Sequence, residues 1–168
     1  MSTPEIAEIK VFEMSAEDIC EVLRLGEETG ISRWTADSYF SEITGRDSSA
    51  LSIKNNGELC GFLIARLIIT ETLTIHIKEA EILNIAVFKS FQRKGFGQKL
   101  LEAFLKIVEL KNISEVWLEV RESNLQAINF YRKNGFSKQF ERKNYYSEPP
   151  GNALVMRKTI VSNESPKV

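Results

Sequence analysis

Histidine, cysteine and proline are scarce in this 168-residue chain, and the first two shortages close off whole classes of chemistry. The single histidine, His76, cannot build a histidine-based metal site alone, and no metal is expected. Cys20 and Cys60, the only two cysteines, form neither a disulfide framework nor a zinc-ligand spacing. With no histidine to activate them they read as small buried hydrophobes rather than nucleophiles. Long hydrophobic runs are missing too. The longest apolar stretch, around Leu63 to Ile69, is broken by Arg66 and falls far short of the roughly 20 residues that span a bilayer. Met1-Ser2-Thr3-Pro4-Glu5 lacks a basic region followed by an apolar run, so no signal peptide is visible. Neither sign of charge is in excess: 22 Lys and Arg face 23 Asp and Glu, for a formal net charge of −1. Direct nucleic-acid binding as the main task is therefore disfavoured. These absences lead to the expectation of a soluble, cytoplasmic protein with no membrane partner.

What is present is a globular composition, 43% hydrophobic and 27% charged, at a length that suits one domain. Ile6 to Met14 alternates loosely and predicts a strand. Ser15, with Asp18 three residues on, predicts a helix start, followed by Ile19, Val22 and Leu23 at helical spacing. Thr35 is a second N-cap, opening a short helix whose apolar positions are Tyr39, Phe40 and Ile43. Leu51 to Lys54 and Leu59 to Ile69 predict strands joined by a hairpin turn at Asn55-Asn56-Gly57-Glu58, where Asn and Gly tolerate positive φ. Leu73 to Phe88 predicts a strand interrupted by charge at Lys78-Glu79. Leu100, Leu101, Phe104, Leu105 and Val108 mark an amphipathic helix, and Glu115 to Arg121 a strand. Ser123 or Asn124 caps a helix that stops at Asn134-Gly135. Phe136 to Tyr145 and Ala153 to Arg157 form a last strand pair across Ser147 to Gly151. The order β-α-α-β-β-β-α-β-α-β-β predicts a mixed α/β domain over 1–158 with one central sheet, and 159–168 as a polar, flexible tail.

The most pointed local pattern is a strand, a Gly-punctuated basic turn and a helix. The first N–H groups of a helix lack internal partners and the helix dipole favours an anion there. Gly95 and Gly97 let the backbone approach a pyrophosphate, and Arg93, Lys94 and Lys99 add positive charge. A P-loop is excluded because Gln98-Lys99-Leu100 follows Gly97, and a dinucleotide fingerprint because Leu100 stands where a third glycine is needed. What matches is Gln/Arg-x-x-Gly-x-Gly/Ala, as Gln92-Arg93-Lys94-Gly95-Phe96-Gly97.

That pattern resembles the acyl-CoA-binding signature of the GNAT acetyltransferase superfamily, and the resemblance runs from the first strand to about Arg157. It is sharpest in Leu83-Asn84-Ile85-Ala86-Val87, Trp117 to Asn124, Ala127-Ile128 with Phe130-Tyr131 and Asn134-Gly135-Phe136, and Arg142-Lys143-Asn144-Tyr145-Tyr146. Together these blocks resemble the RimI-type branch, which acetylates the N-terminal alanine of a small-subunit ribosomal protein. The resemblance implies a GNAT-type fold with helices on both faces of the sheet, and acetyl-CoA as co-substrate. It implies that Ile85, Ala86 and Val87 pair with the pantetheine arm like an added strand, with the Val87 N–H facing the acetyl carbonyl. Arg93, Lys94, Gly95, Phe96, Gly97 and Gln98 would hold the pyrophosphate, and Asn124 would touch the cofactor. Glu119 corresponds to the general base and Tyr131 to the general acid. Trp34, Tyr145 and Tyr146 correspond to acceptor-side residues. Transfer would be direct, to the N-terminus of an acceptor protein.

The residues themselves leave other readings open. Alternation places Trp117, Glu119 and Arg121 on one face of their strand, where Glu119 is either a desolvated carboxylate beside a cleft or half of an ion pair with Arg121 or another cation. Asn124 and Tyr131 lie two helical turns apart, about 10 Å, and read equally as a helix cap and a core tyrosine. Tyr145 and Tyr146 read as packing at a hairpin end. The branch usually carries Phe-Pro-Trp-Ser where this chain has Ile31-Ser32-Arg33-Trp34-Thr35, and the Ile68 to Glu81 connection is longer than usual. Both segments bear on the acceptor. The rival functions are acetylation of lysines or small-molecule amines, and a non-catalytic acyl-CoA-binding module.

Overall fold

The computed structural model describes residues 9–31, 34–72 and 76–161. Strand β1 (Ile9–Glu13) leads through a 3-10 turn into α1 (Ile19–Thr29), and α2 (Ala36–Thr44) follows. Next come β2 (Ser48–Asn55), β3 (Glu58–Glu71), β4 (His76–Val87), α3 (Phe96–Leu110), β5 (Glu115–Arg121), α4 (Leu125–Lys133), β6 (Ser137–Ser147) and β7 (Pro150–Thr159). The seven strands form one mixed sheet in the order β1-β2-β3-β4-β5-β7-β6, with β4 parallel to β5. Among the described residues no helix is long and apolar enough to cross a membrane. The described residues pack as two compact units, those up to Arg66 with Asn84–Ile107, and those of 67–83 with those from Val108 onward.

In the first unit, local chemistry starts the turn into α1 and the helix α2 where the sequence marks them. Ser15 N–H donates to Asp18 Oδ2 at 3.1 Å, and Thr35 Oγ1 accepts from Ser38 N–H at 3.2 Å. The hairpin between β2 and β3 turns on Asn56 (φ 50°) and Gly57 (φ 85°). The core gathers Val22 and Leu25 from α1, Tyr39 from α2, Ile53 and Phe62 from β2 and β3, and Leu100, Leu101 and Phe104 from α3, all at most 1% exposed. The helix opened by Thr35 runs through Tyr39, Phe40 and Ile43 as expected; Phe40 is 51% exposed, and α2 buries Glu42, which accepts from Nε of Arg66 at 3.0 Å. The arginine that breaks the apolar run of β3 is thus the partner that lets a carboxylate face inward. Ile6 falls outside the described residues.

In the second unit, β5 shows the expected alternation, with Val116, Leu118 and Val120 buried and Trp117, Glu119 and Arg121 partly exposed. Asn124 Oδ1 caps α4 by accepting from Ala127 N–H at 3.1 Å, and Gly135 (φ 85°) follows the helix end. Two boundaries differ from expectation. Strand β4 runs unbroken through Lys78-Glu79, because Lys78 has an ion-pair partner in Glu71 at 2.6 Å and Glu79 lines a cleft. The turn before the last strand is tighter than Ser147 to Gly151, since Ser147 already pairs with Pro150. Strand β7 includes Thr159, and Ile160 N–H donates to the Ser114 carbonyl at 2.8 Å, so order passes residue 158. Residues 162–168, most of the expected tail, lie outside the described residues.

Candidate active site

The residues expected to hold the donor, Asn124 apart, belong to the first unit. Phe88 N–H donates to the Cys60 carbonyl of β3 at 3.0 Å. Successive amides on a strand point to opposite edges, so the N–H groups of Val87 and Ile85 point away from β3. The ladder of β4 with β5 covers Glu79–Ile82 against Glu115–Leu118, and Ile85–Val87 lies past its end. Strand β3 approaches this segment closely: a Cβ on Gly61 would stand 2.6 Å from the Ala86 carbonyl oxygen and 3.0 Å from Val87 Cγ2. Gln92 Nε2 ties the turn back by donating to the Val87 carbonyl at 3.0 Å.

The turn itself contains Arg93 at φ 59° and Gly95 at φ 84°, both in the left-handed region. No atom lies within 4 Å of a Cβ built on Gly95. Lys99 N–H makes a helical bond to the Gly95 carbonyl at 3.0 Å, so the amides of Phe96, Gly97 and Gln98 precede the α-helical ladder. Arg93 and Lys94 are exposed. Phe96 is 4% exposed and stacks edge-on against Phe91, so only its backbone is available to a ligand. The Gln98 side chain donates to Glu102 at 2.9 Å. An open strand edge followed by a basic, amide-lined turn fits an extended amide-bearing arm that ends in phosphates.

Trp34, also in the first unit, is half-buried and packs on Tyr39, with ring centroids 5.2 Å apart. Tyr39 in turn meets Phe62 edge-on at 5.7 Å. These contacts give Trp34 a packing role, and its neighbours Ser32 and Arg33 lie outside the described residues.

Glu119 lies in the second unit, in a cleft of about 200 Å3 whose lining includes Ile68, Glu79, Glu81, Trp117, Phe140 and Arg142. Its side chain is 20% exposed and is not an isolated desolvated carboxylate. Arg142 Nε donates to Glu119 Oε1 at 2.9 Å, so of the ion-pair readings the partner is Arg142 rather than Arg121. Arg121 instead donates to the carbonyls of Glu148 and Pro149, both at 2.9 Å, and stacks over Tyr146 at 3.9 Å. Tyr145 stands beside the pair of Glu119 and Arg142, its ring centroid 5.6 Å from the Arg142 guanidinium. Hydrogen bonding toward the Glu119 carboxylate, with burial and the carboxylate's charge, pushes the phenol above its ordinary range. Tyr146 moves in the same direction, chiefly through burial. The two rings meet edge-on at 5.1 Å.

Tyr131 is 6% exposed and packs against Phe130 and Phe136. Burial drives its phenol well above the ordinary range, so it is a protonated donor at neutral pH. Asn124 is exposed, and its carbonyl is committed to the cap of α4, which leaves its amide N–H groups for a ligand. The geometry therefore brings Glu119, Arg142 and Tyr145 together, keeps Tyr131 in the packed layer of α4, and leaves Asn124 at that helix's mouth. Sequence reasoning assigned no role to Arg142, to Gly61 or to Asn152, whose amide braces β6. The one local signal for the brace is Asn144, a residue type that tolerates the φ of 52° found there.

The model of the acetyltransferase (GNAT) family matches residues 16–136. The chain is 32% identical over 123 residues to the ribosomal protein bS18-alanine N-acetyltransferase of Escherichia coli strain K12, covering 72% of this chain and 78% of that protein. It is 30% identical over 148 residues to the putative ribosomal protein bS18-alanine N-acetyltransferase of Bacillus subtilis strain 168, covering 88% and 93%. Its fold is similar to the crystal structure of the ribosomal-protein-S18-alanine N-acetyltransferase from Escherichia coli, with a TM-score of 0.81 at 26% identity over 96% of this chain and 99% of that one.

Proposed function

We propose that this chain, which belongs to the acetyltransferase (GNAT) family, acetylates the α-amine at the N-terminus of an acceptor protein, with acetyl-CoA as donor. The acceptor is a protein beginning with alanine, of the kind that names its bS18-modifying relatives, and the reaction takes place in the cytoplasm by direct transfer. The observation that carries the reading is the Glu119 carboxylate, held by the Arg142 guanidinium in a cleft. An α-amine has a pKa near 7.7–8.0 against about 10.4 for lysine, so at pH 7.5 roughly a third of α-amines are neutral but only about one lysine in a thousand. A single carboxylate base suits the former.

On this reading the open edge at Ile85, Ala86 and Val87 pairs with the pantetheine arm, and the Val87 N–H faces the acetyl carbonyl. The amides and cations of Arg93 to Gln98 hold the pyrophosphate, and the Asn124 amide donates to the cofactor. Glu119 takes the proton from the incoming ammonium, directly or through a water. The nitrogen lone pair then forms the C–N bond as the C–S bond breaks, the Tyr131 phenol donates to the departing sulfur, and the second proton shed by the nitrogen makes good the phenol's through solvent while Glu119 releases the first. Tyr145, Tyr146 and Trp34 stand on the acceptor side. The indole Nε1 of Trp117, buried in the cleft lining without a hydrogen-bond partner, is a donor for an acceptor backbone carbonyl.

Paired peptides beginning with alanine, one free and one blocked at its N-terminus, test this by mass spectrometry with acetyl-CoA. The expected outcome is acetylation of the free peptide alone. Acetyl-lysine on the blocked peptide at a comparable rate overturns the α-amine reading. Activity confined to free polyamines overturns the protein acceptor.

A further inference from the structure

We infer that Arg142 is a positioning residue that orients the Glu119 carboxylate, and that the bulge in β6 exists to bring it there together with Tyr145. The inference rests on the proposed role of Glu119 as proton acceptor. Arg142 and Tyr145 stand three positions apart, so on a regular strand their side chains would leave opposite faces of the sheet. Both nevertheless stand together at Glu119: Arg142 Nε meets the carboxylate at 2.9 Å, and the Tyr145 ring centroid lies 5.6 Å from the Arg142 guanidinium. The register shows how: Arg142 pairs with Ala153 and Tyr146 with Gly151, so β6 spends four residues where β7 spends two. Asn144 absorbs the excess at φ 52°.

A dedicated brace fixes this irregularity. Asn152 of β7 accepts the Asn144 N–H on its Oδ1 at 2.9 Å. Its Nδ2 donates to Glu122 at the end of β5 and to Glu141 on β6, both at 3.0 Å. The bulge is thereby anchored to the strand that carries Glu119. An ion pair whose arginine is half-exposed adds little to stability, so stability does not account for an irregularity braced at three points. Orientation does. A carboxylate has about four acceptor sites; Arg142 engages one, holds the group with Tyr145 beside it, and leaves lone pairs for the amine's proton.

Steady-state kinetics on the full chain, with acetyl-CoA and a peptide beginning with alanine, test the inference. R142Q is expected to lower kcat about 10–100-fold, the scale of a small misplacement of a catalytic group, with KM for acetyl-CoA unchanged. R142K is expected to recover only part of that loss, because a point charge does not reproduce the directed Nε–H bond. Guanidinium ion is expected to restore turnover to R142G and not to E119Q, a rescue that a purely structural role would not show. The double variant E119Q/R142Q is expected to be no slower than E119Q. N152A, which loosens the bulge and keeps the arginine, is expected to lose kcat without guanidinium rescue. Turnover of R142Q within twofold of wild type, beside an inactive E119Q, overturns the positioning role and leaves the base standing. Wild-type turnover by E119Q overturns both.

Discussion

The Glu119 carboxylate is met by the Arg142 guanidinium with the Tyr145 phenol beside it, so the consequence of replacing it can be stated. Glu119→Gln keeps the shape and removes the proton acceptor; kcat measured at saturating substrates is expected to fall by about 10²–10⁴-fold, with acetyl-CoA affinity by calorimetry little changed. The same contact is visible from the phenol's side. Because Glu119 holds the Tyr145 phenol above its ordinary range, absorbance at phenolate wavelengths should show a late-titrating tyrosine that reverts toward pH 10 in Glu119→Gln. Tyr131 carries a stability consequence of definite sign. Its folded pKa lies above the unfolded value near 10, so its contribution is complete below about pH 10 and is lost as pH rises through the folded pKa. Denaturant titrations across pH 9–12 should show a shallower alkaline loss in Tyr131→Phe. At this scale the half-buried place of Glu119 is legible in the sequence, because strand alternation marks it. Arg142 is not, since its parity with Tyr145 is wrong for any regular strand.

Elements that announce themselves do so through single residues with local chemistry: the Ser15 and Thr35 starts, the Asn56-Gly57 turn, the Asn124 cap and the Gly135 stop. Those that mislead do so because a distant partner changes what a charge means. Lys78-Glu79 reads as a break in β4 until Glu71 and the cleft are seen beside it. Two elements yield predictions. Asn124 both caps α4 and offers an amide outward, and the roles separate by substitution. Asn124→Ala is expected to cost about 1 kcal/mol of stability. Asn124→Asp keeps the cap, so a stable variant with weakened acetyl-CoA binding would show the amide at work, and wild-type binding would reduce Asn124 to a cap. Gly61 lets β3 approach Ala86 and Val87, and Gly61→Val would force that part of β4 aside. Acetyl-CoA affinity is expected to fall at least tenfold in a variant whose circular dichroism still shows the folded sheet.

For the whole molecule, ligand linkage is the direct readout. Acetyl-CoA at 100 times its dissociation constant should stabilise the fold by about 2.7 kcal/mol, seen as a rise in Tm. Gly97→Val, which puts a branched side chain among the amides before the α3 ladder, should abolish that rise while leaving the unliganded Tm near wild type. The global architecture is legible in the sequence as an order of elements. The sheet order is not, because β7 inserts between β5 and β6 and nothing local in Ala153 to Arg157 specifies two neighbours. That insertion has a consequence for biosynthesis. Both β5, which carries Glu119, and β6, which carries Arg142, wait for a strand made after them. A nascent chain halted at Ser147 has every proposed catalytic group and no ladder to join the strands that bear them. During translation the cleft therefore closes last, in one step, when Pro150–Thr159 has left the ribosome, and until then the polypeptide is expected to have no catalytic turnover.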